Sequence, residues 1–534
     1  MLKMNSKIKI FLSISLLLLP SMLYAQKKEI IAYYPEWRAK GSNPYVVKNI
    51  ITSHTAGKIT VLNYAFGIPK PDSSGNIVVG FMDPYLAYQQ VYSSEMSVDG
   101  VADDSTQSLK GQFNQLRKLK KKYPKLKIIL SIGGWTGSKY FSNAVRTEKS
   151  REYFVNSCIQ RFLVGDLPKV NNAGGEKAAA GIFDGFDIDW EYPVKGGDNG
   201  VHHNWQDNNN LTKLYRLFRL KLDSINTHLL LTAAVPATEK YARYYNIHKD
   251  QQYLNWYNVM TYDYRGGWDE VTGHNTNLLS SLNDTTFDRE KDSFDKSIHL
   301  YNCIYGVSRS KLVPGAAFYG RGWKVAQNIN NGLGIKGKET EGKVEHGYNY
   351  YSDLIQLQNQ GYKVHWDKYA MAPYIYNPDK KIFWTFDNSE SISLKVHYVD
   401  AYDLRGLMFW EISGDDSSGT LVNTIYTKNM PEPPITQKGV HSIPEITIVN
   451  PLSSDWINEG SNVVIGTRYS DRRGEIVKVE FFGDGKSLGY NTNPPFDWVW
   501  FNIPKGKHVI KAVAYDNNGG KKISRPVRIY VRDR

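Results

Sequence analysis

Three carboxylates occur at alternating positions of one short segment, DGFDIDWE, at residues 184–191. In a β-strand, alternate side chains share a face, so Asp187, Asp189 and Glu191 would project together. Like charges this close cannot all ionise comfortably, and at least one carboxyl should keep its proton near neutral pH. We therefore predict that Glu191, the outermost of the three, acts as a general acid. Asp184 falls on the other face, where we expect a structural role.

A metal site is the alternative interpretation of these carboxylates, because Mg²⁺ and Ca²⁺ prefer oxygen ligands. One strand rarely supplies three ligands to one ion, and no histidine lies near the positions that would face the mouth of the site. We therefore expect no metal at these carboxylates.

The elements that would position the carboxylates can be traced from Glu29 to about Asp415. Short apolar and aromatic runs alternate there with longer amphipathic stretches, which is typical of parallel strands joined by helices. Eight runs qualify as strands: IIAYY, VLNYAF, KIILSIGG, GIFDGFDIDW, LLLTAAV, WYNVMTY, LVPGAAFYG and GLMFWEI. We predict an α/β fold, a (β/α)8 TIM barrel, whose sites lie at the carboxyl ends of its strands. A doubly wound open sheet is the alternative, but no Gly-rich phosphate loop follows the first run.

The chain also predicts an insertion and an appended domain. An interruption at about 324–393, between strands 7 and 8, contains the alternating runs APYIYN and KKIFWTF and predicts an α+β insertion. Clustered prolines predict a linker at 431–443, so the barrel domain would span 26–430. Residues 444–534 show short β runs between turns, as in an all-β immunoglobulin-like sandwich. Phe496, Trp498 and Trp500 share a strand face there, either as core or as an exposed carbohydrate-binding strip.

The N-terminal segment predicts export. Residues 1–25 combine Lys3, Lys7 and Lys9 with a short apolar run and a small residue at a plausible cleavage point, as a secretory signal peptide does. No later apolar run reaches the ~18 residues of a membrane span. We expect a secreted or cell-surface-associated protein without stable membrane insertion.

Composition excludes other classes of protein. Of the 534 residues, 41% are hydrophobic and 22% charged, as in an ordinary globular protein. The net charge of +13 is partly that of the signal segment, and the main basic run, Lys118 to Lys122, lies at a predicted helix end. A solvated helix face explains this run, so we expect no nucleic-acid partner. Cys158 and Cys303 lie on helices that a barrel keeps apart, which predicts two unpaired, buried thiols.

The segment DGFDIDWE resembles the DxxDxDxE signature of family 18 glycoside hydrolases, the chitinase family. Four further segments resemble motifs of that family in the same order: SIGGW at 131–135, MTYDY at 260–264, FYGRGW at 318–323 and MFWEISGD at 408–415. The resemblance covers roughly residues 27–415. The insertion is similar to the α+β domain of members with deep clefts, and the C-terminal region resembles bacterial immunoglobulin-like domains.

The resemblance implies a mechanism. Family members retain configuration and use the substrate's own 2-acetamido oxygen as nucleophile. Glu191 would serve as general acid and base, Asp189 would orient and stabilise the acetamido group, and Asp187 would share a proton with Asp189. Tyr262 would donate its hydroxyl to the acetamido oxygen, with packing of the barrel interior as its alternative role.

The family also implies a set of substrate-binding residues. Trp410 would form the floor beneath the distorted sugar. Trp37, Trp135 and Trp268 follow strands 1, 3 and 6, where flat indole faces suit sugars; core packing is the alternative role of each tryptophan alone. Further candidates are Met260 as cavity lining, Asp263 and Arg321 as hydrogen-bonding partners of the sugar, and Tyr33 and Tyr319 as cleft wall. These rings account for part of the 13% aromatic content.

We therefore expect a monomeric, secreted chitinase that acts on chitin and chitooligosaccharides without a metal or an organic cofactor. Three alternatives stay open. An inactive chitin-binding lectin typically lacks the acid at the position of Glu191. An endo-β-N-acetylglucosaminidase acting on N-glycans would share Glu191 but tends to lack the insertion. An adhesion protein built around the sandwich would leave the carboxylates unexplained.

Overall fold

The computed structural model describes residues 28–281, 292–429, 444–471, 475–492, 496–517 and 519–533. The predicted signal peptide at 1–25 and the predicted linker at 431–443 lie outside the described residues. None of the described helices combines the length and apolar character that crossing a bilayer requires.

Eight parallel strands close into a barrel, which confirms the predicted fold. In chain order, the first to eighth barrel strands are Glu29–Pro35, Val61–Pro71, Lys127–Gly133, Gly185–Asp189, Leu230–Pro236, Trp256–Met260, Leu312–Ala317 and Gly406–Trp410. Ile31 on the first strand lies opposite Val61 on one side and Met408 on the other. The first strand therefore joins the second to the eighth and closes the sheet.

The helices between and after these strands pack their apolar faces against the outside of the barrel. Their bounds are Val47–Thr52, Gly111–Lys122, Phe141–Val145, Glu148–Cys158, Asp207–Ile225, Glu239–Ala242, Ile247–Asp250, Phe294–His299, Ser389–Ala401 and Thr420–Asn429. In Asp207–Ile225, the side chains of Leu211, Leu214, Phe218 and Leu222 are buried. Their spacing of three or four residues is that of one helix face.

Two barrel strands end earlier than predicted. The fourth strand ends at Asp189, so Glu191 lies just beyond it. The sixth ends at Met260, so Tyr262 and Asp263 belong to the following loop, where Asp263 has a positive φ of 57°. The prediction that Met260 and Tyr262 alternate along one strand is therefore wrong. A short polar residue such as aspartate is among the few that adopt this backbone conformation readily.

The insertion between strands 7 and 8 is confirmed as an α+β unit. A six-stranded sheet comprises Tyr319–Val325, Gly337–Glu339, Tyr348–Tyr350, Lys363–Asp367, Ala372–Asn377 and Ile382–Phe386, and the helix Tyr351–Gln356 lies between its strands in sequence. The last two strands correspond to the predicted runs APYIYN and KKIFWTF, and they pair in antiparallel orientation. The first strand begins at Tyr319, before the predicted boundary near 324, because the chain leaves the barrel after Ala317.

The C-terminal residues form the predicted β-sandwich. One sheet contains Glu445–Asn450, Val463–Ser470 and Trp498–Trp500, and the other contains Trp456–Asn458, Ile476–Gly483, Lys486–Asn491, Gly506–Asp516, Lys521–Ile523 and Val527–Arg532. Phe496 is part of the buried core between them, and Trp498 and Trp500 are partly buried against that core. This placement favours core packing over an exposed strip for these three residues.

The two cysteines differ in exposure from the prediction, whereas the basic run lies where it was predicted. Both cysteines are free, but Cys303 is exposed, which corrects the prediction that both are buried. The turn Leu300–Ile304 buries Tyr301 and presents Cys303 to solvent. The basic run lies at the end of Gly111–Lys122, as predicted. Two of its cations are paired with carboxylates, Lys118 with Asp99 at 2.8 Å and Lys120 with Asp184 at 2.7 Å.

Candidate active site

Asp187 lies at the centre of the barrel, fully buried on the fourth strand. Its carboxylate accepts four side-chain hydrogen bonds: from Tyr33 at 2.9 Å, Ser131 at 2.8 Å, Thr232 at 2.6 Å and Asn258 at 3.0 Å. Burial raises the pKa of Asp187, and these four donors act in the opposite direction. Both oxygens therefore have neutral donors from four different barrel strands.

The orientation of the Asn258 amide follows from a second hydrogen bond. The indole N–H of buried Trp256 donates to Asn258 Oδ1 at 3.0 Å. Because the amide oxygen is an acceptor there, its NH₂ group is left to donate to Asp187. The sixth strand thus supplies both the donor to Asp187 and the group that orients it.

Asp189 is buried next along the same strand face, and its Oδ1 has no hydrogen-bond partner among the residues that the structure describes. Burial, the charge of Glu191 and the charge of Asp187 all raise the pKa of Asp189 well above its ordinary value. A buried, unpartnered carboxylate oxygen costs free energy unless something donates to it. Asp189 is therefore prepared to accept a hydrogen bond from a ligand.

Glu191 is partly buried just beyond the strand, and its backbone N–H donates to the Ser138 hydroxyl at 2.9 Å. The Ser138 hydroxyl can donate in turn to the carbonyl oxygen of Gly134 at 2.9 Å or to that of Asp189 at 3.2 Å. The loop after the third strand thus holds the segment that carries the acid. Burial raises the pKa of Glu191 from 4.5 to about 7, with a smaller contribution from the charge of Asp263. A carboxyl of this pKa can donate a proton at neutral pH and take one back.

Tyr262 lies beside these carboxylates, and Met260 lines the same cavity. Burial and then the charges of Asp189 and Glu191 raise the pKa of Tyr262 well above its ordinary value. Its phenol therefore keeps its proton and can serve as a donor. Its hydroxyl lies 3.9 Å from the sulfur of Met408, at the wall of the barrel.

Asp263 and Arg321 contact each other directly. Arg321 Nε and Nη2 donate to the two oxygens of Asp263 at 2.8 and 2.9 Å, and the Tyr319 hydroxyl donates to Asp263 Oδ1 at 2.8 Å. The guanidinium also lies 4.9 Å from the ring centre of Trp268. The insertion strand that begins at Tyr319 therefore supports the loop after the sixth barrel strand.

Aromatic rings surround the carboxylates in two groups. Trp410 stacks on Phe66 with ring centres 5.8 Å apart, and Tyr33 and Trp37 lie 5.7 and 6.1 Å from it. In the second group, Tyr192 stacks on Tyr241 at 4.3 Å, and Trp135 meets Tyr192 edge to face at 6.5 Å. Trp135 and Trp268 are among the exposed tryptophans. Flat, exposed indoles suit ligands with apolar faces.

One cavity of about 2080 Å³ joins these groups. Twelve predicted site residues line it: Tyr33, Trp37, Trp135, Asp189, Glu191, Met260, Tyr262, Asp263, Trp268, Tyr319, Arg321 and Trp410. Asp187 does not, because it lies deeper in the barrel. The volume exceeds the ~300–1,000 Å³ of a typical small-molecule pocket, so the site has room for an extended ligand.

Several residues of the site were missed by the sequence-based predictions. Phe66, Tyr192 and Tyr241 line the cavity, and Ser131, Thr232 and Asn258 bind Asp187. Polar residues inside otherwise apolar strand runs were the available signal for the last three. Tyr241 gave no such signal, because it lies on a short helix after the fifth strand.

Asp184 has the structural role expected for it. Its Oδ2 accepts hydrogen bonds from the backbone N–H of Ile128 at 2.9 Å and from Lys120 at 2.7 Å.

Within the described ranges, no group of three or more histidine, cysteine, aspartate or glutamate side chains could hold a metal ion.

The chain belongs to family 18 of the glycosyl hydrolases, whose family model matches residues 29–415. The model of a bacterial immunoglobulin domain matches residues 444–512. Both matches agree with the barrel and sandwich described above.

Individual relatives support this assignment. The chain is 33% identical to chitinase A1 of Niallia circulans over 465 aligned residues. The alignment covers 78% of this chain and 62% of the relative. The solved catalytic domain of a psychrophilic chitinase B from Arthrobacter TAD20 superposes with a TM-score of 0.70 at 32% identity, covering 76% of this chain and 95% of that domain. Chitinase ChiA74 from Bacillus thuringiensis gives a TM-score of 0.64 at 27% identity over 95% of this chain and 85% of the other. The chain spans about three-fifths of the length of the first curated relatives.

Proposed function

We propose that the protein is a secreted chitinase that hydrolyses β-1,4 linkages between N-acetylglucosamine units with retention of configuration. The observation that carries this proposal is the buried, unpartnered Oδ1 of Asp189 in the cavity that Glu191 and Tyr262 also line. An acetamido N–H is a donor suited to that oxygen. The relatives named as chitinases support the same class of substrate.

The first chemical step uses one protein acid. Glu191 donates its proton to the glycosidic oxygen while the acetamido carbonyl oxygen attacks the anomeric carbon. The bond to the leaving sugar breaks, and an oxazolinium ion forms. Asp189 accepts a hydrogen bond from the acetamido N–H, orients the attacking oxygen and stabilises the developing positive charge. The Tyr262 hydroxyl donates a hydrogen bond to the acetamido oxygen.

The second step reverses the role of Glu191. As a carboxylate, it takes a proton from a water molecule that attacks the anomeric carbon and opens the oxazolinium ring. Asp187, deeper in the barrel, would adjust the pKa of Asp189 by sharing a proton with it. This role stays a prediction, since the four hydrogen bonds to Asp187 described above come from other side chains.

The aromatic groups would bind the sugar chain on both sides of the carboxylates. Trp410 would lie beneath the distorted sugar, with Trp37 on one side and Trp135 and Trp268 as further platforms. Asp263 and Arg321 would bind sugar hydroxyls as a pair, because each already orients the other.

Replacing the acid tests the proposal. We expect Glu191→Gln to reduce hydrolysis of chitin oligomers by at least ~100-fold, since it removes the proton donor but keeps the shape of the side chain. Oligomer binding and thermal stability should change little. The control is Glu148→Gln, an exposed glutamate at the start of a helix outside the cavity. Near wild-type turnover by Glu191→Gln would contradict the assignment.

Product analysis separates the proposed activity from its alternatives. Short N-acetylglucosamine oligomers released from chitin support a chitinase. Trimming of an N-glycan without action on chitin would support an endo-β-N-acetylglucosaminidase, and oligomer binding without any hydrolysis would support a lectin.

Export is part of the proposal and rests on residues 1–25. Expression of the full chain in a bacterium that secretes proteins should yield a shortened protein outside the cytoplasm, with its new N-terminus near residue 26. N-terminal sequencing checks this, and an intact Met1 on the extracellular protein would contradict it.

A further inference from the structure

The sandwich contributes an exposed tryptophan to the catalytic cavity. Trp456 is 55% exposed and lines the same continuous cavity as Glu191 and Trp268. Other aromatic residues of the sandwich differ from it. Phe496 is buried, Trp498 and Trp500 pack against the domain core, and the exposed Tyr490 and Phe501 do not line the cavity. Trp205 on the barrel is more exposed still, but it does not line the cavity.

The ring of Trp456 is supported from within its own sheet. The strand Trp456–Asn458 pairs in parallel with Val527–Arg532, and Trp456 lies opposite Tyr530. Their rings stack with centres 5.2 Å apart and an interplanar angle of 24°. Arg532, which also lines the cavity, places its guanidinium 5.6 Å from the Trp456 ring centre. The indole therefore has a defined orientation although more than half of it is exposed.

Contacts with the barrel hold this part of the sandwich beside the cavity. Asp455, the residue before Trp456, forms an ion pair with Lys296 at 3.1 Å. Lys296 belongs to the helix Phe294–His299, and both Lys296 and His299 line the cavity. A second contact places the Arg468 guanidinium 4.1 Å from the ring centre of Tyr402 on the barrel. Groups on both domains therefore contact the segment that carries Trp456 or the sandwich beside it.

We propose that Trp456, with Arg532 beside it, is a distal sugar-binding platform that extends the catalytic cleft onto the C-terminal domain. The inference rests on the proposed function, because its ligand is a long N-acetylglucosamine chain that passes Glu191. A flat indole offers an apolar face to a sugar ring, and a planar guanidinium offers donors to its hydroxyls. The platform would bind polymeric chitin rather than short fragments, since it lies at the sandwich end of a cavity of about 2080 Å³.

The test compares a short and a long ligand in the inactive Glu191→Gln background of the full chain, so that nothing is hydrolysed. Affinity is measured for the N-acetylglucosamine trimer by calorimetry and for insoluble chitin by depletion of protein from solution. Trp456→Ala should weaken binding to chitin by about threefold to tenfold, the range of one aromatic contact, and affect the trimer much less. Trp205→Ala, which removes an exposed tryptophan outside the cavity, should change neither affinity.

The outcomes separate this inference from the proposed function. If the Glu191→Gln protein binds neither ligand, the proposed function fails, and the inference fails with it. If it binds both but Trp456→Ala leaves chitin affinity unchanged, or weakens both ligands equally, the inference alone is overturned. Arg532→Ala is the second variant, expected to weaken chitin binding selectively and to a smaller extent. An unchanged melting temperature in each variant shows that lost binding is not lost folding.

Discussion

Asp187, Asp189 and Glu191 belong to one short segment, yet their surroundings differ at the scale of single residues. Asp187 accepts four side-chain hydrogen bonds, whereas one buried oxygen of Asp189 has no partner within the described part of the chain. Glu191 lies partly exposed beyond the strand with a pKa raised to about 7. The environment therefore divides three carboxylates into a buried anchor, a ligand acceptor and an acid.

Asp189→Asn tests the acceptor role. The amide keeps the shape of the side chain but loses the negative charge that stabilises the acetamido group in the transition state. We expect kcat on chitin oligomers to fall by about 100-fold or more, with a smaller change in KM. Asp184→Asn is the matched control on the outer face of the same segment. It loses its ion pair with Lys120 and should lower stability without a comparable loss of kcat. An unchanged rate for Asp189→Asn would argue against acetamido participation.

The pKa of Glu191 predicts the pH dependence of the reaction. The acid must carry its proton when the glycosidic bond breaks, so activity should be present below the raised pKa and fall as the pH increases through about 7. The dependence of kcat/KM on pH with a soluble oligomer measures this limb for the free enzyme. Because Glu191 and Asp189 interact, the apparent value belongs to the pair. A descending limb near 4.5, the ordinary value, would contradict the raised pKa.

The shared face of the alternating carboxylates could be predicted from the sequence, whereas the contacts between residues on opposite sides of the site could not. Alternate positions on a strand predict a shared face for Asp187 and Asp189, and both do lie on the fourth strand. The pairing of Asp263 with Arg321 joins a loop to an inserted strand. Nothing local in either segment indicates such a pair, because it depends on how the insertion docks on the barrel.

At the scale of elements, several barrel strands each carry a side chain that donates a hydrogen bond to the same carboxylate. The first, third, fifth and sixth strands each supply one hydrogen bond to Asp187. Removing one of these donors should therefore lower the free energy of unfolding of the barrel as well as change the hydrogen bonding of Asp187.

Thr232→Val makes this loss measurable. Valine keeps the shape of threonine but leaves Asp187 Oδ1 without its 2.6 Å donor. We expect the free energy of unfolding to fall by about 1–3 kcal/mol, the contribution of one buried hydrogen bond to a carboxylate, while the Asn258 amide still donates to the same oxygen. Thr227→Val, at an exposed threonine just before the same strand, should stay within ~0.5 kcal/mol of the wild type. Equal effects of the two substitutions in denaturant titrations would contradict the anchoring role of Thr232.

Strand positions were predictable from apolar runs, but strand ends were not. Eight runs between Glu29 and Asp415 marked the eight barrel strands because buried parallel strands are apolar on both faces. The fourth strand stops at Asp189 because the backbone N–H of Glu191 donates to Ser138 in a loop rather than to a neighbouring strand. A partner in a distant loop leaves no periodic signal in the run itself.

For the whole molecule, the described residues form separate hydrophobic cores for the barrel and the sandwich. Phe186 belongs to the barrel core and Phe481 to the sandwich core, and both side chains are fully buried. The contacts between the domains include the ion pair of Lys296 with Asp455 and the stacking of Arg468 on Tyr402. Partly exposed contacts of this kind contribute little free energy compared with either core.

Phe481→Ala and Phe186→Ala test this division in the full chain. Each substitution leaves a cavity in one core and should destabilise that domain by about 3–5 kcal/mol. In scanning calorimetry, Phe481→Ala should lower the sandwich transition and leave the barrel transition and the hydrolysis of a short oligomer unchanged. Phe186→Ala should lower the barrel transition and reduce that hydrolysis. If both substitutions lower a single transition together, the domains unfold as one cooperative unit, and the chemistry at Glu191 depends on the stability of the sandwich as well as on that of the barrel.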